Sequence, residues 1–236
     1  MNAIYKREMR SYFSSPIGYI FMAVFFAMSG LLFSLFTFMS KTSSTSTYFF
    51  ILLFVFIIVI PLLTMKLLSE ERKLKTEQIL LTSPVSLGGI VFAKFLAAFT
   101  MFAITFVFSE IVHFALLSRF AAQISYAEVL GNIIGILLIG GAFISIGLFL
   151  SSLTESQIIA AISTIGVILF MMLMSVVANY IGNDILRVSV KWLAIVSRFS
   201  PFTAGIFDLS SIIYYISLIV IFLFLTIRVY EKRRWA

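Results

Sequence analysis

The stretch "YFFILLFVFIIVIPLLTMKLL", from Tyr48 to Leu68, carries a single charge. In helical form, at 1.5 Å per residue, about 20 apolar residues match a hydrocarbon layer ~30 Å thick. In water such a segment would need apolar cover on every side and a polar shell outside that. The shell cannot be built, because 61% of the 236 residues are hydrophobic and only 11% are charged. Soluble domains carry roughly 25% charged residues. The short alternating segments of a transmembrane β-barrel do not occur either. The sequence predicts an all-α, polytopic membrane protein in a single domain.

Six such runs can be placed, at 17–39, 48–68, 87–117, 129–150, 158–181 and 212–229. Pro61 should kink the second, because proline lacks the N–H that a helix interior needs. The third is long enough to tilt or to project beyond the bilayer. Lys and Arg set the orientation. Twelve of the 17 basic residues fall on the side shared by the N-terminus, the 69–86 loop, the 151–157 loop and the C-terminus. The positive-inside rule therefore puts both termini in the cytoplasm of a cell-membrane protein. The net charge of +7 is thus a topology signal and a lipid-headgroup contact, with no nucleic-acid partner implied. The N-terminus shows no small-residue cleavage site and is read as retained.

Two segments are amphipathic without spanning. Residues 1–16 group Met1, Tyr5, Met9, Tyr12 and Phe13 on one arc, opposite Lys6, Arg7 and Arg10, before Pro16 turns the chain. That is the pattern of a helix lying in the membrane interface. Residues 182–211 are too polar to cross but rich in Trp192, Ile195, Phe199 and Phe202. They suit short extracytoplasmic helices or a re-entrant hairpin, broken by Pro201 and Gly205.

Catalytic signatures are scarce. No G-x-x-x-x-G-K-[ST] loop is present, so the chain should not hydrolyse ATP alone. Zero cysteines exclude disulfides and thiolate metal sites, and one histidine, His113, excludes a multi-histidine site. Glu70–Glu71 has the look of an intramembrane protease motif, but the partner histidines are missing. Glu110 and His113 form the one ionisable pair plainly inside a span, three residues apart on one helical face. Such pairs are functional candidates; the plainer reading has them near the outer end, reaching water or Arg119. Gly131-x-x-x-Gly135 and Gly141-x-x-x-Ser145 have the spacing of close helix packing, within one subunit or between two. "FMMLM" at 170–174 is bulk facing either lipid or a cavity.

The loop "KLLSEERKLKTEQILLTSPVSLGGIVFAK" mixes charges of both signs with Leu74, Ile79, Leu80 and Leu81. A polybasic lipid anchor would not be interleaved with carboxylates. Apolar side chains rimmed by charge, with no soluble core to join, read as a docking element for a partner protein. A loop helix lying on the membrane is the alternative.

"EERKLKTEQILLTSPVSLGGIVFAKFLA" resembles the signature that follows the second span in ABC-2 type transporter permeases. "YKREMRSYFSSPIGYI", "SIGLFLSSLTESQIIAA" and the terminal "YEKRRW" are similar to that family too. The likeness is greatest to its gliding-motility and nitrous-oxide-reductase-maturation branch. One departure is Lys75, where that family usually has glycine. The resemblance implies an interfacial helix bearing Lys6, Arg7 and Arg10. It also implies a coupling helix for an ATPase in the 69–86 loop, with Glu70, Glu71, Thr76, Glu77, Leu80, Leu81 and Pro84 as coupling residues. Two permease copies, identical or paralogous, would pair with two ATPase subunits. ATP and Mg2+ would sit on those partners, with no cofactor or metal on this chain, and an outer accessory protein could join. The implied activity is ATP-driven transport, as an exporter. The competing class is an ion-coupled secondary transporter using Glu110 and His113, and a third is a structural membrane anchor.

Overall fold

Helix is the sole regular element among the described residues of the computed structural model, which are 1–40, 44–78, 85–120, 124–178, 180–182 and 184–234. In chain order the helices are α1 (Asn2–Ser14), α2 (Pro16–Phe33), α3 (Ser46–Thr64), α4 (Ser69–Lys73) and α5 (Leu87–Phe120). They continue with α6 (Tyr126–Leu153), α7 (Gln157–Val177), α8 (Asp184–Leu193), α9 (Ser200–Thr203) and α10 (Leu209–Arg234). Among the described residues, six stretches are long and apolar enough to cross a membrane, at Pro16–Phe38, Ser46–Lys73, Leu87–Arg119, Tyr126–Leu153, Gln157–Val177 and Leu209–Arg234. The protein is a multi-pass, all-α membrane protein.

The bundle is built around α6, which touches α3, α5, α7, α9 and α10. Its small residues make this central place available. A Cβ on Gly140 would stand 2.3 Å from the Phe102 ring of α5, and one on Gly147 would stand 2.3 Å from Thr64 Oγ1 of α3. Gly131 and Gly135 seat Phe199 and Phe202 in the same way, with Gly135 meeting the Phe199 ring at 2.7 Å. The glycine spacing in the sequence therefore serves packing within the subunit. It also explains the 182–211 segment: α8, a 3-10 turn (Ile195–Arg198) and α9 fold back so that Ile195, Phe199 and Phe202 are buried while Trp192 is exposed.

At the end of the bundle opposite the termini, Glu128 closes the start of α3. Its Oε1 accepts from the Thr45 and Ser46 N–H groups at 2.9 and 3.0 Å and from the Ser44 and Ser46 hydroxyls, each at 2.8 Å. A carboxylate there satisfies orphan donors and complements the helix dipole. Nearby, α2 ends in a π-helical turn, Ser34–Phe38, closed by the Met39 N–H on the Ser34 carbonyl at 2.8 Å. In α3 the helix runs through Pro61 and ends at Thr64. The methionine cluster divides: Met171 and Met172 face inward, and Phe170 and Leu173 face out.

α1 is amphipathic, and three residues of its expected apolar arc, Tyr5, Met9 and Tyr12, turn toward the bundle together with Ile4. Ile4 and Tyr12 are buried, Tyr5 and Met9 pack against the core, and Met1 and Phe13 are exposed. The helix lies against α5 and α2, so its inner face is set by protein contacts and includes Ile4.

Candidate functional site

At the termini end, five segments meet: α1, the α3–α4 turn, the start of α5, the α6–α7 turn and the end of α10. The centre of the junction is Lys94, a lysine with 1% exposure. Its ammonium has three protons to place. Two are donated, to Glu8 Oε1 at 3.0 Å and to the Leu67 carbonyl at 2.7 Å, and Glu71 Oε1 is an ion-pair partner at 2.9 Å. Arg7 bridges the same two carboxylates, with Glu8 Oε1 at 2.7 Å and Glu71 Oε1 as its other acceptor. Two cations and two anions therefore neutralise one another, which is the condition for burying Lys94 and most of the two carboxylates while Arg7 stays exposed. Burial pushes the Glu8 carboxyl up, but Lys94 and Arg7 outweigh it and hold its pKa below the ordinary carboxylate value. The Glu71 Oε2 atom is buried and takes no hydrogen bond among the described residues.

Three further ties fix the loop. Ser151 Oγ accepts the Leu68 and Ser69 N–H groups at 3.2 and 3.1 Å, joining α6 to the start of α4. Arg72 pairs with Glu155 at 3.0 Å and donates to the Leu153 carbonyl at 2.9 Å. Arg233 of α10 pairs with Glu77 at 3.1 Å and donates to the Ser152 carbonyl. On α1, Tyr12 donates to the Leu63 carbonyl at 3.2 Å; burial, reinforced by Glu8, raises its pKa and keeps the proton in place.

α4 ends in a Schellman motif. The Thr76 N–H bonds the Glu71 carbonyl at 2.9 Å and the Lys75 N–H bonds the Arg72 carbonyl at 3.1 Å, with Lys75 at φ 58°. That position demands the left-handed region, which glycine enters without Cβ strain. The one departure from the resembling family thus falls where a side chain is least comfortable. Lys75→Gly should stabilise the protein by about 1 kcal/mol. A thermal unfolding midpoint equal to or below the parent's would contradict it.

Of the expected coupling residues, Glu71 and Glu77 turn inward to ion pairs, Glu70 stands 3.7 Å from Lys66, and Thr76 Oγ1 donates to the Glu71 carbonyl at 3.3 Å. Glu77 is buried, so a sign reversal there would disturb the junction before any partner. Leu80, Leu81 and Pro84, with Ile79, lie outside the described residues. On α1, Lys6 and Arg10 are exposed, while Arg7 is drawn into the network. Sequence reading missed the roles of Glu8, Lys94 and Arg233. The available signal was Glu8 itself, the lone acid among Lys6, Arg7 and Arg10.

The second polar cluster is inside the bundle. Tyr48 of α3 donates to Glu110 Oε1 at 2.6 Å and stands 3.1 Å from His113 Nδ1. A phenol has one proton, so while Tyr48 donates it to Glu110 the contact with His113 is a hydrogen bond only in the tautomer that carries N–H at Nδ1. That tautomer gives the order His113 → Tyr48 → Glu110. The His113 ring stacks on Phe33 of α2 with centroids 4.4 Å apart and planes at 6°. Glu110 is 6% exposed, so the carboxylate meets Tyr48 and His113 in place of water or Arg119. Tyr48 was not singled out in the sequence, because nothing local separates it from the other aromatics of its span.

Among the described residues no group of three or more metal-ligating side chains occurs. A comparison with curated proteins finds no match. A family model described as "ABC-2 family transporter protein" matches residues 36–235, which takes in α3 to α10 and every element of the junction except α1 and its two residues Arg7 and Glu8. A multi-pass bundle with that match over most of its length belongs to the ABC-2 transporter family, as a membrane transport component.

Proposed function

We propose that the protein is the permease subunit of an ATP-driven exporter, powered by separate ATPase subunits that dock on the 69–86 loop. One observation carries the reading. The acids Glu71 and Glu77 of this loop face inward, while Leu74 points out at 63% exposure between exposed Lys73 and Lys75. Beside it a concavity of about 450 Å3 is lined by Lys73, Glu155, Ser156, Gln157 and Ile158, and Ile158 is 70% exposed. Apolar side chains ringed by charge, next to a depression, suit the helix-in-groove contact of a protein partner. The positive-inside count places this end and both termini in the cytoplasm.

In this reading two permease copies flank the substrate path, and ATP with Mg2+ binds the partner subunits. Closure of the nucleotide sites pulls on α4. Force passes to α5 through Glu71–Lys94, to α1 through Arg7, to α6 through Ser151 and to α10 through Glu77–Arg233. The permease needs two discrete packings that this docking biases.

Leu74→Asp tests the docking surface without touching the ion network. Buried interface anchors are each worth about 2 kcal/mol or more. The variant should lose co-purification with the ATPase, and its ATPase stimulation should fall by an order of magnitude or so, with insertion and size-exclusion profile unchanged. Leu80→Asp should do the same. Full complex formation and full stimulation in both would refute ATPase docking on this loop.

A further inference from the structure

A groove of about 270 Å3 runs between α5 and α6, in the half of the bundle away from the termini. Glu110, Ile111, Phe114, Tyr126, Leu130 and Ile133 are among its lining residues, and among the described residues Glu110 is the sole ionisable one there apart from the Tyr126 phenol. The other walls are aliphatic or aromatic, with the Phe114 and Tyr126 rings 6.2 Å apart. A carboxylate at the floor of an apolar groove within a membrane protein is costly unless it has a use. This one is incompletely matched. Its Oε1 takes the Tyr48 hydroxyl, and His113 Nδ1 stands 3.6 Å away. Its Oε2 takes no hydrogen bond among the described residues. Among the described residues no Lys or Arg lines the groove or the small cavity behind Glu110.

We infer that this groove binds a lipophilic cation, an amphiphile whose positive centre faces Glu110 and whose apolar body lies along Ile111, Leu130 and Ile133. The chemistry is complementary at each end. An anion with a free oxygen attracts a cation, and attraction strengthens where water is excluded. The aromatic faces of Phe114 and Tyr126 add cation–π attraction at the mouth. The apolar walls select a greasy body over an inorganic ion, because they offer no further oxygen ligands. Stated as a substrate class this rests on the transporter reading; stated as a binding site it does not.

The test uses the purified permease without any ATPase, in phosphatidylcholine nanodiscs, so its failure leaves the docking experiment untouched. Radiolabelled methyltriphenylphosphonium is titrated by equilibrium dialysis, with triphenylphosphine oxide as a neutral probe of nearly the same shape. The expected result is saturable binding of one cation per chain, weakened about tenfold or more by Glu110→Gln, the loss of one charge-assisted contact. The glutamine keeps an acceptor for Tyr48, so folding should survive. Leu130→Trp, at an exposed position on the groove wall, should block the groove and abolish binding. The neutral oxide should bind weakly and alike in parent and Glu110→Gln. Non-saturable partitioning, equal cation binding in parent and Glu110→Gln, or no effect of Leu130→Trp would overturn the site and leave a groove filled by lipid chains or a second permease.

Discussion

Replacing Lys94 with alanine should be among the most damaging single changes at the termini end. It removes the cation that Glu8 and Glu71 share, leaving two largely buried carboxylates, each 13% exposed, with Arg7 alone. Breaking a buried ion pair on one side typically costs about 3–5 kcal/mol, because the remaining charge is uncompensated. An exposed pair provides the scale. Arg228 and Glu231 stand 2.6 Å apart with side chains 61% and 38% exposed. Such pairs are worth under about 1 kcal/mol, so Arg228→Ala should be close to silent. Thermal aggregation of detergent-purified protein, read by size exclusion, separates the two: Lys94→Ala should lose the monodisperse peak many degrees before the parent, and Arg228→Ala should not. Combining Lys94→Met with Glu71→Gln should recover part of the loss, since one buried charge is then removed from each side. Parent-like melting of Lys94→Ala would mean that the network is solvated, and that force from α4 must reach α5 by another route.

The contrast between what was and was not legible follows from the range of each interaction. The six spans could be read because a run such as Tyr48–Leu68 needs no partner to declare itself; length and hydropathy suffice. The loop end of the bundle could be read because basic residues cluster where the chain leaves the hydrocarbon. Contacts between distant segments left no comparable trace. Glu8 and Lys94 are 86 residues apart, and Glu77 and Arg233 are 156 apart. Nothing local marks either as a pair. The buried chain was half legible: Glu110 and His113 share a helical face by simple periodicity, but Tyr48 joins them from another span. The same limit explains why Ile4 was not read as part of the inner face of α1. A helical wheel divides apolar from polar, and Ile4 goes inside because α5 and α2 offer it a place. Lys75 is the instructive case. As a departure from a family pattern it had no physical content until its left-handed backbone supplied one.

One of the close helix contacts in the bundle gives the other large expected effect. Gly140 of α6 faces the ring of Phe102 so closely that an added Cβ would stand 2.3 and 2.4 Å from Cε1 and Cζ. The ring has nowhere to go. Phe102 is fully buried, edge-on to Phe56 with centroids 5.4 Å apart and stacked over Phe106 at 6.0 Å. Helices associate inside membranes through close packing, without a hydrophobic drive between them, so the glycine sets how near α5 can come. Gly140→Val should therefore push α5 away from α6 along a seam that also carries Phe99 against Gly141. Overpacking usually costs about 1–3 kcal/mol and exceeds that where neighbours cannot turn aside. The expected result is a poorly inserted or aggregating protein. The cause is tested by the pair: Phe102→Leu alone should be mildly destabilising, and joined to Gly140→Ala it should melt above Gly140→Ala alone. Such rescue is the non-additivity of residues in direct contact. Strictly additive losses would show that Gly140 matters for a reason other than the Phe102 ring, and the close α5–α6 approach would no longer account for the glycine.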